Sequence, residues 1–243
     1  MTLSSACAKS RTVTYGTAEA KQPVLKPLPK AIADEPEAEP LSARQLEVLE
    51  AALAVLVREG GRLTMARVAA EANCSKETLY KWFGGRDGLL SAIVRWQAAQ
   101  VRVDPFEGAI DRAALTDRLA RFAEDWLRVV SSERSLALNR LAVAHAGESG
   151  AALGRIVLDN GRFALGEKLK PVLEAAREAG LLSFESAEET FRTFFGLVAR
   201  DVHIRLLLGE RLKLTRAIIA GEAARAVADF MSIFEPAKSQ SRM

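Results

Sequence analysis

The sequence predicts an all-α protein, with a small three-helix head followed by a longer helical body. Three observations carry that expectation. Apolar residues recur at i, i+3 and i+4 in almost every segment from about 42 to 234, while the period-2 alternation of strands is absent. Helix starts and stops are marked: Ser42-Ala43-Arg44-Gln45 and Ser186-Ala187-Glu188-Glu189 have capping-box form, and Gly60-Gly61, Gly147, Gly180 and Gly209 interrupt the periodic runs. The stretch from Thr64 to Phe83 reads as two short helices joined by a tight turn.

In that stretch Met65, Val68, Ala69 and Ala72 form one apolar stripe, predicting a helix over about 64–72. Asn73 tolerates the left-handed conformation that ends helices, and Ser75 is a suitable N-cap for the next one. In the second helix Leu79, Trp82 and Phe83 share one side, leaving Lys76, Thr78, Tyr80 and Lys81 to face outward. Such side chains reach phosphate oxygens and base edges when a helix enters the major groove by its N-terminal end. Between 62 and 86, Arg62, Arg67, Lys76, Lys81 and Arg86 outnumber Glu71 and Glu77, a local basic footprint. The net charge of the whole chain, +3, is too small to imply nucleic acid by itself.

The head begins earlier. After the capping box at Ser42, Leu46, Leu49, Leu53 and Leu56 continue at helical spacing until Gly60-Gly61, giving a first helix that buries its stripe on the other two. From Arg86 a fourth helix carries Leu89, Leu90, Ile93, Val94 and Trp96 to about 103, where Asp104-Pro105 ends it. The string Thr78-Leu79-Tyr80-Lys81-Trp82-Phe83, followed by Arg86-Asp87-Gly88-Leu89-Leu90, resembles the TetR family of bacterial transcription regulators, and the likeness covers 42–95. Two positions depart from the family's pattern: Asn73 stands where glycine is usual, and Cys74 where an aliphatic residue is usual. Both replacements suit the fold, since Asn accepts the left-handed conformation and buried Cys behaves as a small hydrophobe.

The resemblance implies a sequence-specific DNA-binding regulator, a repressor released from its operator by a small-molecule effector. Carried over by position, the DNA-binding residues would be Thr64, Arg67, Lys76, Thr78, Tyr80, Lys81, Trp82 and Arg86. Lys76 and Thr78 would approach base edges; Thr64, Tyr80 and Arg86 would hold phosphates. The competing reading is a helical ligand-binding or scaffold protein that has lost DNA binding.

With 243 residues, 49% of them hydrophobic and 27% charged, the composition is that of a globular protein. No run approaches the roughly 18 apolar residues of a membrane helix, and the first 30 residues lack a secretory pattern. With only Cys7 and Cys74, the expectation is a cytoplasmic protein without a disulfide. Residues 1–40 hold five of eight prolines, are basic and then acidic, and predict a disordered extension that could lie along DNA. The expected division is therefore 1–40 extension, 41–86 helix-turn-helix domain, 87–236 ligand-binding and dimerisation domain, and 237–243 flexible tail.

The body is predicted as helices near 111–130, 133–146, 150–179, 186–208 and 215–234, with Pro171 expected to kink or divide the third. Phe122, Trp126, His145, Phe163 and Phe195 are candidates to line an effector pocket. In 186–208 one stripe is Phe191, Phe194, Phe195, Val198 and Val202; a second is Leu197, Ile204, Leu207 and Leu208. Paired with the last helix in a two-fold four-helix bundle, Leu197, Ile204, Leu208, Ile219, Ala223, Ala226 and Phe230 are the expected homodimer interface. His145 and His203 fall on different helices without nearby Cys, so no metal or cofactor is expected. Neither a phosphate-binding glycine loop nor a nucleophile elbow occurs, and no enzyme activity is expected.

Overall fold

The computed structural model describes residues 41–59, 63–103, 110–146 and 152–236. The expected N-terminal extension with Cys7, the C-terminal tail and Arg62 lie outside them. Among the described residues there is no strand, and eleven α-helices follow one another with one π-helical turn. They are α1 (Ala43–Arg58), α2 (Met65–Glu71), α3 (Lys76–Phe83), α4 (Arg86–Ala98), α5 (Arg112–Val130), α6 (Glu133–Ala144), α7 (Ala152–Val157), the π turn (Leu158–Phe163), α8 (Ala164–Glu178), α9 (Ala187–Ala199), α10 (Val202–Leu207) and α11 (Arg216–Ile233).

Capping chemistry fixes most starts. Ser42 accepts from the Gln45 amide while Gln45 Oε1 accepts from the Ser42 amide at 2.8 Å, a complete capping box. Thr64, Ser75, Asp111, Ser132, Ser186 and Thr215 each accept a backbone N–H three residues on.

The apolar interior forms two clusters. The first joins α1–α4 and is closed from the body side by Leu138, Leu141 and Ala142 of α6 and Leu153 of α7. The second is built from α5, α8, α9 and α11, and the C-terminal end of α4 enters it through Ala98 and Val101. Thus α4 belongs to both: Leu89, Leu90, Ile93 and Val94 pack in the first.

Two predicted helices are broken where the sequence suggested continuity. The 150–179 segment is irregular at the π turn, whereas Pro171 sits inside an unbroken α8. Asn160 Nδ2 donates to the Ile156 carbonyl at 3.0 Å, taking the acceptor that its own backbone N–H would use in a regular α-helix. The wide turn rephases the helix, so that α7 faces the first cluster and α8 the second. The 186–208 segment is cut at Arg200, which has φ 42° and ψ −128°, so each expected stripe is divided: Val202 is separated from the phenylalanines of α9, and Leu197 from Ile204, Leu207 and Leu208.

Candidate nucleic-acid interface and regulatory body

The helix-turn-helix is closed by backbone hydrogen bonds. Asn73 adopts φ 49°; its amide donates to the Ala70 carbonyl at 3.3 Å, and the Cys74 amide donates to Ala69 at 3.0 Å. Together these form a Schellman motif, with Asn in the left-handed position. Arg44 Nη2 reaches from α1 to the carbonyls of Ala72 and Asn73 at 2.6 and 3.2 Å, satisfying acceptors that the end of α2 leaves free. Sequence reasoning missed Arg44, because a partner 28 residues away carries no local signal. At the other end of α3, a Cβ on Gly88 would lie 1.7 Å from the Phe83 carbonyl oxygen, so α4 meets α3 backbone to backbone.

These contacts hold α3 with Leu79 and Phe83 buried and its opposite side in solvent. Tyr80 is 54% exposed, and Lys76 and Lys81 are exposed with no hydrogen bond or ion pair among the described residues. Thr78 is half-buried, its hydroxyl 3.1 Å from that of Ser75 at the N-cap. Glu77 points its carboxylate back on the helix start. The N–H of its own backbone and the Ser75 hydroxyl hold it below the usual carboxylate range.

The other four expected contact residues have partners within the protein. Thr64 caps α2 through the Arg67 amide at 3.3 Å. Arg67 is paired with Glu59 at 2.7 Å, beside an Arg58–Glu71 pair at 2.8 Å that raises the guanidinium and lowers the carboxyl from their ordinary values. Trp82 packs edge-on against Phe83 with ring centroids 6.3 Å apart and is half-buried on the first cluster. Arg86 Nε donates to the Leu63 carbonyl at 3.1 Å, bracing the start of α4 against the strand of chain before α2. Lys76, Tyr80 and Lys81 thus face solvent, while Thr78 and these four also serve the fold.

In the body, Trp126 and Phe195 have ring centroids 4.2 Å apart, and Phe195 lies 5.9 Å from Phe191. Arg162, on the π turn, spreads over Phe195, Phe163 and Phe191 at 4.8, 5.5 and 5.8 Å. Trp126, Phe163 and Phe195 of the expected pocket are thus brought into one aromatic group. Phe122 is buried beside Phe194, at 6.0 Å, and borders a crevice with Arg102, Val103, Arg118, Arg121, Leu169 and Val172. That crevice has room for about one water molecule.

His145 departs from the expected set. It ends α6, its Nδ1 is 2.9 Å from the Leu141 carbonyl, and the apolar side of α6 belongs to the first cluster rather than to the aromatic group. The expected dimer residues need a similar correction. Ile219, Ala223, Ala226 and Phe230 are buried against α5 and α9 of the same chain, where they fill its own core. Leu197 is half-buried on that core too. Ile204 and Leu208 are 53% and 81% exposed. Among the residues α11 leaves exposed are Ala217, Gly221, Ala224 and Ala228, spaced i, i+4, i+7 and i+11, together with Ile218, Arg225 and Ile233.

Sequence reasoning also missed Asp125. Only 1% exposed, it accepts from Arg102 Nε at 2.7 Å, Arg102 Nη2 at 3.1 Å and Arg128 Nη1 at 2.8 Å. Burial pushes its carboxyl up, but the guanidiniums outweigh that and hold it below its ordinary value. Arg102 follows α4, so this cluster ties the end of α4 to α5. No group of three or more His, Cys, Asp or Glu suited to a metal occurs among the described residues, nor any helix long and apolar enough to cross a membrane.

Comparison with known proteins agrees with this architecture. Residues 48–93 match the model of the bacterial regulatory proteins of the tetR family, and 117–236 match the C-terminal domain of AefR-like transcriptional repressors. A TetR transcriptional regulator from Agrobacterium tumefaciens superposes with a TM-score of 0.70 at 40% identity, over 84% of this chain and all of that one. A TetR-family regulator from Rhodococcus sp. gives 0.57 at 25% identity, over 78% of this chain and 100% of that one. The flavonoid-responsive regulator FrrA shares the fold, with 0.60 at 24% identity, over 79% of this chain and 97% of that one. No curated protein matches the sequence. The head is a helix-turn-helix DNA-binding domain joined to a helical C-terminal domain. The chain belongs to the TetR family of bacterial transcription regulators.

Proposed function

We propose that the chain is a cytoplasmic homodimeric repressor that binds operator DNA through α3 and is released by a small organic effector held in the body. The observation that carries this reading is the outward side of α3. Lys76, Tyr80 and Lys81 stand exposed, and neither lysine has a hydrogen bond or ion pair among the described residues, while Leu79 and Phe83 are buried. Solvated lysines are common on any exposed helix face; what supports the reading is their place with Tyr80 on the second helix of a helix-turn-helix, where phosphates and base edges would meet them.

One recognition helix with two lysines gives little affinity, so two heads must act together. The small-residue stripe Ala217, Gly221, Ala224 and Ala228 on α11 supports a two-fold contact, since small side chains let helices approach closely. A Cβ on Gly221, or on Gly196 of α9, would meet nothing within 4 Å, so both glycines border open space. The small exposed residues of α11 and Gly196 of α9 supply surface on which the helices of a second copy could pack closely, as in a four-helix bundle between two chains.

Release is then a shift between two spacings of the heads, biased by the effector's different affinity for each. Operator DNA must weaken effector binding by the same factor. The test is fluorescence anisotropy with duplexes from upstream of the chain's own gene, at stated salt, against random duplex. A sequence-selective complex of two chains per site is expected, and Lys76→Ala should cost it about 1–3 kcal/mol of discrimination. Equal affinity for operator and random duplex would instead favour a helical ligand-binding protein that no longer reads DNA.

A further inference from the structure

The π turn is the least regular part of the body and the place where its two clusters meet. π-helical residues are rare, well under about 1% of residues in globular proteins, and often lie at functional sites. Here the turn points two ways. A Cβ on Gly161 would lie 3.5 Å from Val94 Cγ1 of α4, the helix that runs on from the DNA-binding head. The next residue, Arg162, lies over the rings of Phe163, Phe191 and Phe195, which continue into Trp126.

Arg162 is half-buried, unlike the exposed cations of the body that also lack a partner. It has no hydrogen bond and no ion pair among the described residues. The nearby carboxylate of Glu188 is taken by Lys170 at 3.2 Å, and Arg192 adds like charge from α9. Burial, and secondarily Arg192, disfavour the charged form and lower its pKa, against the pull of Glu188. Three ring faces compensate a guanidinium only partly. A half-buried cation held in this way gains from any anion that can reach it, and an aromatic body on that anion gains from the same rings.

We propose that the π turn is the anchor of an effector site for small aromatic acids: Arg162 pairs with the carboxylate, and the acid's ring packs on Phe163, Phe191 and Phe195. Pairing draws Arg162 off the rings and moves the turn on which Gly161 faces Val94, so occupancy is felt at α4. This inference rests on the reading that the body holds a small-molecule effector, and it names the chemistry of that effector.

The test is calorimetric titration of the full chain, without DNA, with 1-naphthoate and with its neutral isostere 1-naphthamide. The acid is expected to bind at least tenfold more tightly than the amide. Arg162→Gln should abolish that preference, Arg162→Lys should retain part of it, and Arg192→Gln should leave it intact. Equal binding of acid and amide overturns the inference, as does an undiminished preference in Arg162→Gln, its loss in Arg192→Gln, or no binding of the acid at millimolar concentration. Thermal melting of each variant shows that it is folded, and the lysine variant carries the test if the glutamine variant is not. The two readings fail separately. A neutral compound that releases operator regardless of Arg162 sinks this proposal alone, whereas acid binding by a chain that does not select operator sinks the repressor.

Discussion

Replacing Asp125 by Asn tests whether the end of α4 is held to the body by charge. In the native chain one buried carboxylate receives four donors: three from Arg102, counting its backbone N–H at 3.3 Å, and one from Arg128. The amide keeps one acceptor oxygen and turns an NH2 toward guanidinium donors, so at least one strong contact becomes a donor–donor clash. A hydrogen bond to a charged group contributes about 1.5–3 kcal/mol, and breaking a fully buried pair costs about 3–5 kcal/mol. Arg102 and Arg128 are 62% and 53% exposed and can rehydrate, so the loss should be discounted to about 2–3 kcal/mol. For a chain of this size that is a fall in Tm of roughly 5–10 °C. Urea unfolding at pH 7 measures it. The depressed carboxyl contributes its stability above the unfolded value of about 3.9 and loses it as pH falls through the folded one, so the two proteins should converge in acid. A loss below about 0.5 kcal/mol at pH 7, or a gap that does not narrow as pH falls below about 3.9, would refute the reasoning.

Other outcomes follow from single positions. Asn73→Ala should cost about 1–2 kcal/mol in chemical denaturation, because a Cβ without a compensating amide disfavours φ 49°, while Asn73→Gly should be neutral or stabilising. Arg200→Gly should raise stability by up to about 1 kcal/mol: it relieves a positive φ in a non-glycine residue and gives up only ion pairs at 3.7 and 3.9 Å to Asp229 and Glu222. Gly88→Ala should destroy operator binding and lower Tm, since its methyl would collide with the Phe83 carbonyl. His203, with its Nε2 buried and unbonded, is held below its ordinary pKa by burial. The unfolded chain therefore binds its proton first as pH drops below about 6.5, and stability falls with it. In His203→Gln that slope between pH 6.5 and 5 should flatten, as read by thermal melts across the range.

Local chemistry explains which features were legible in the sequence. The capping boxes, the stripe of α2, the left-handed Asn73 and the outward row of α3 depend on residues within four positions of each other, where spacing speaks directly. The break at Arg200 has no such signal: arginine is a poor candidate for φ 42°, and ion pairs to α11 accompany it from far along the chain. Pro171 misled for a related reason, since neighbouring packing keeps α8 unbroken and the irregularity falls at Asn160, whose side chain competes for a backbone carbonyl. The dimer residues show another limit. Both sides of α11 carry apolar positions, and periodicity cannot tell which side meets its own core: Ile219, Ala223, Ala226 and Phe230 are buried, while Ala217, Ala224, Ala228, Ile218 and Ile233 are exposed.

The placement of α4 and the π turn bears on how a signal could cross the molecule. A hinge between two independent cores would let the head swing without a record of what the body holds. Here α4 has its first turns in one core and its last in the other, and the α7–α8 run passes from one core to the other beside it. The two bridges run side by side where Gly161 faces Val94, close enough that an added Cβ would be in van der Waals contact, and α4 is further fixed at its end by Arg102 on Asp125. A close-packed interior does not deform continuously, so a movement of α8 relative to α4 must be taken up by a change of turn geometry. The π turn, already one residue wider than a regular helix turn, is the segment where such a change costs least. On the proposed effector mechanism, a shift there would tilt α4, and the backbone contact of Gly88 with Phe83 would carry α3 with it.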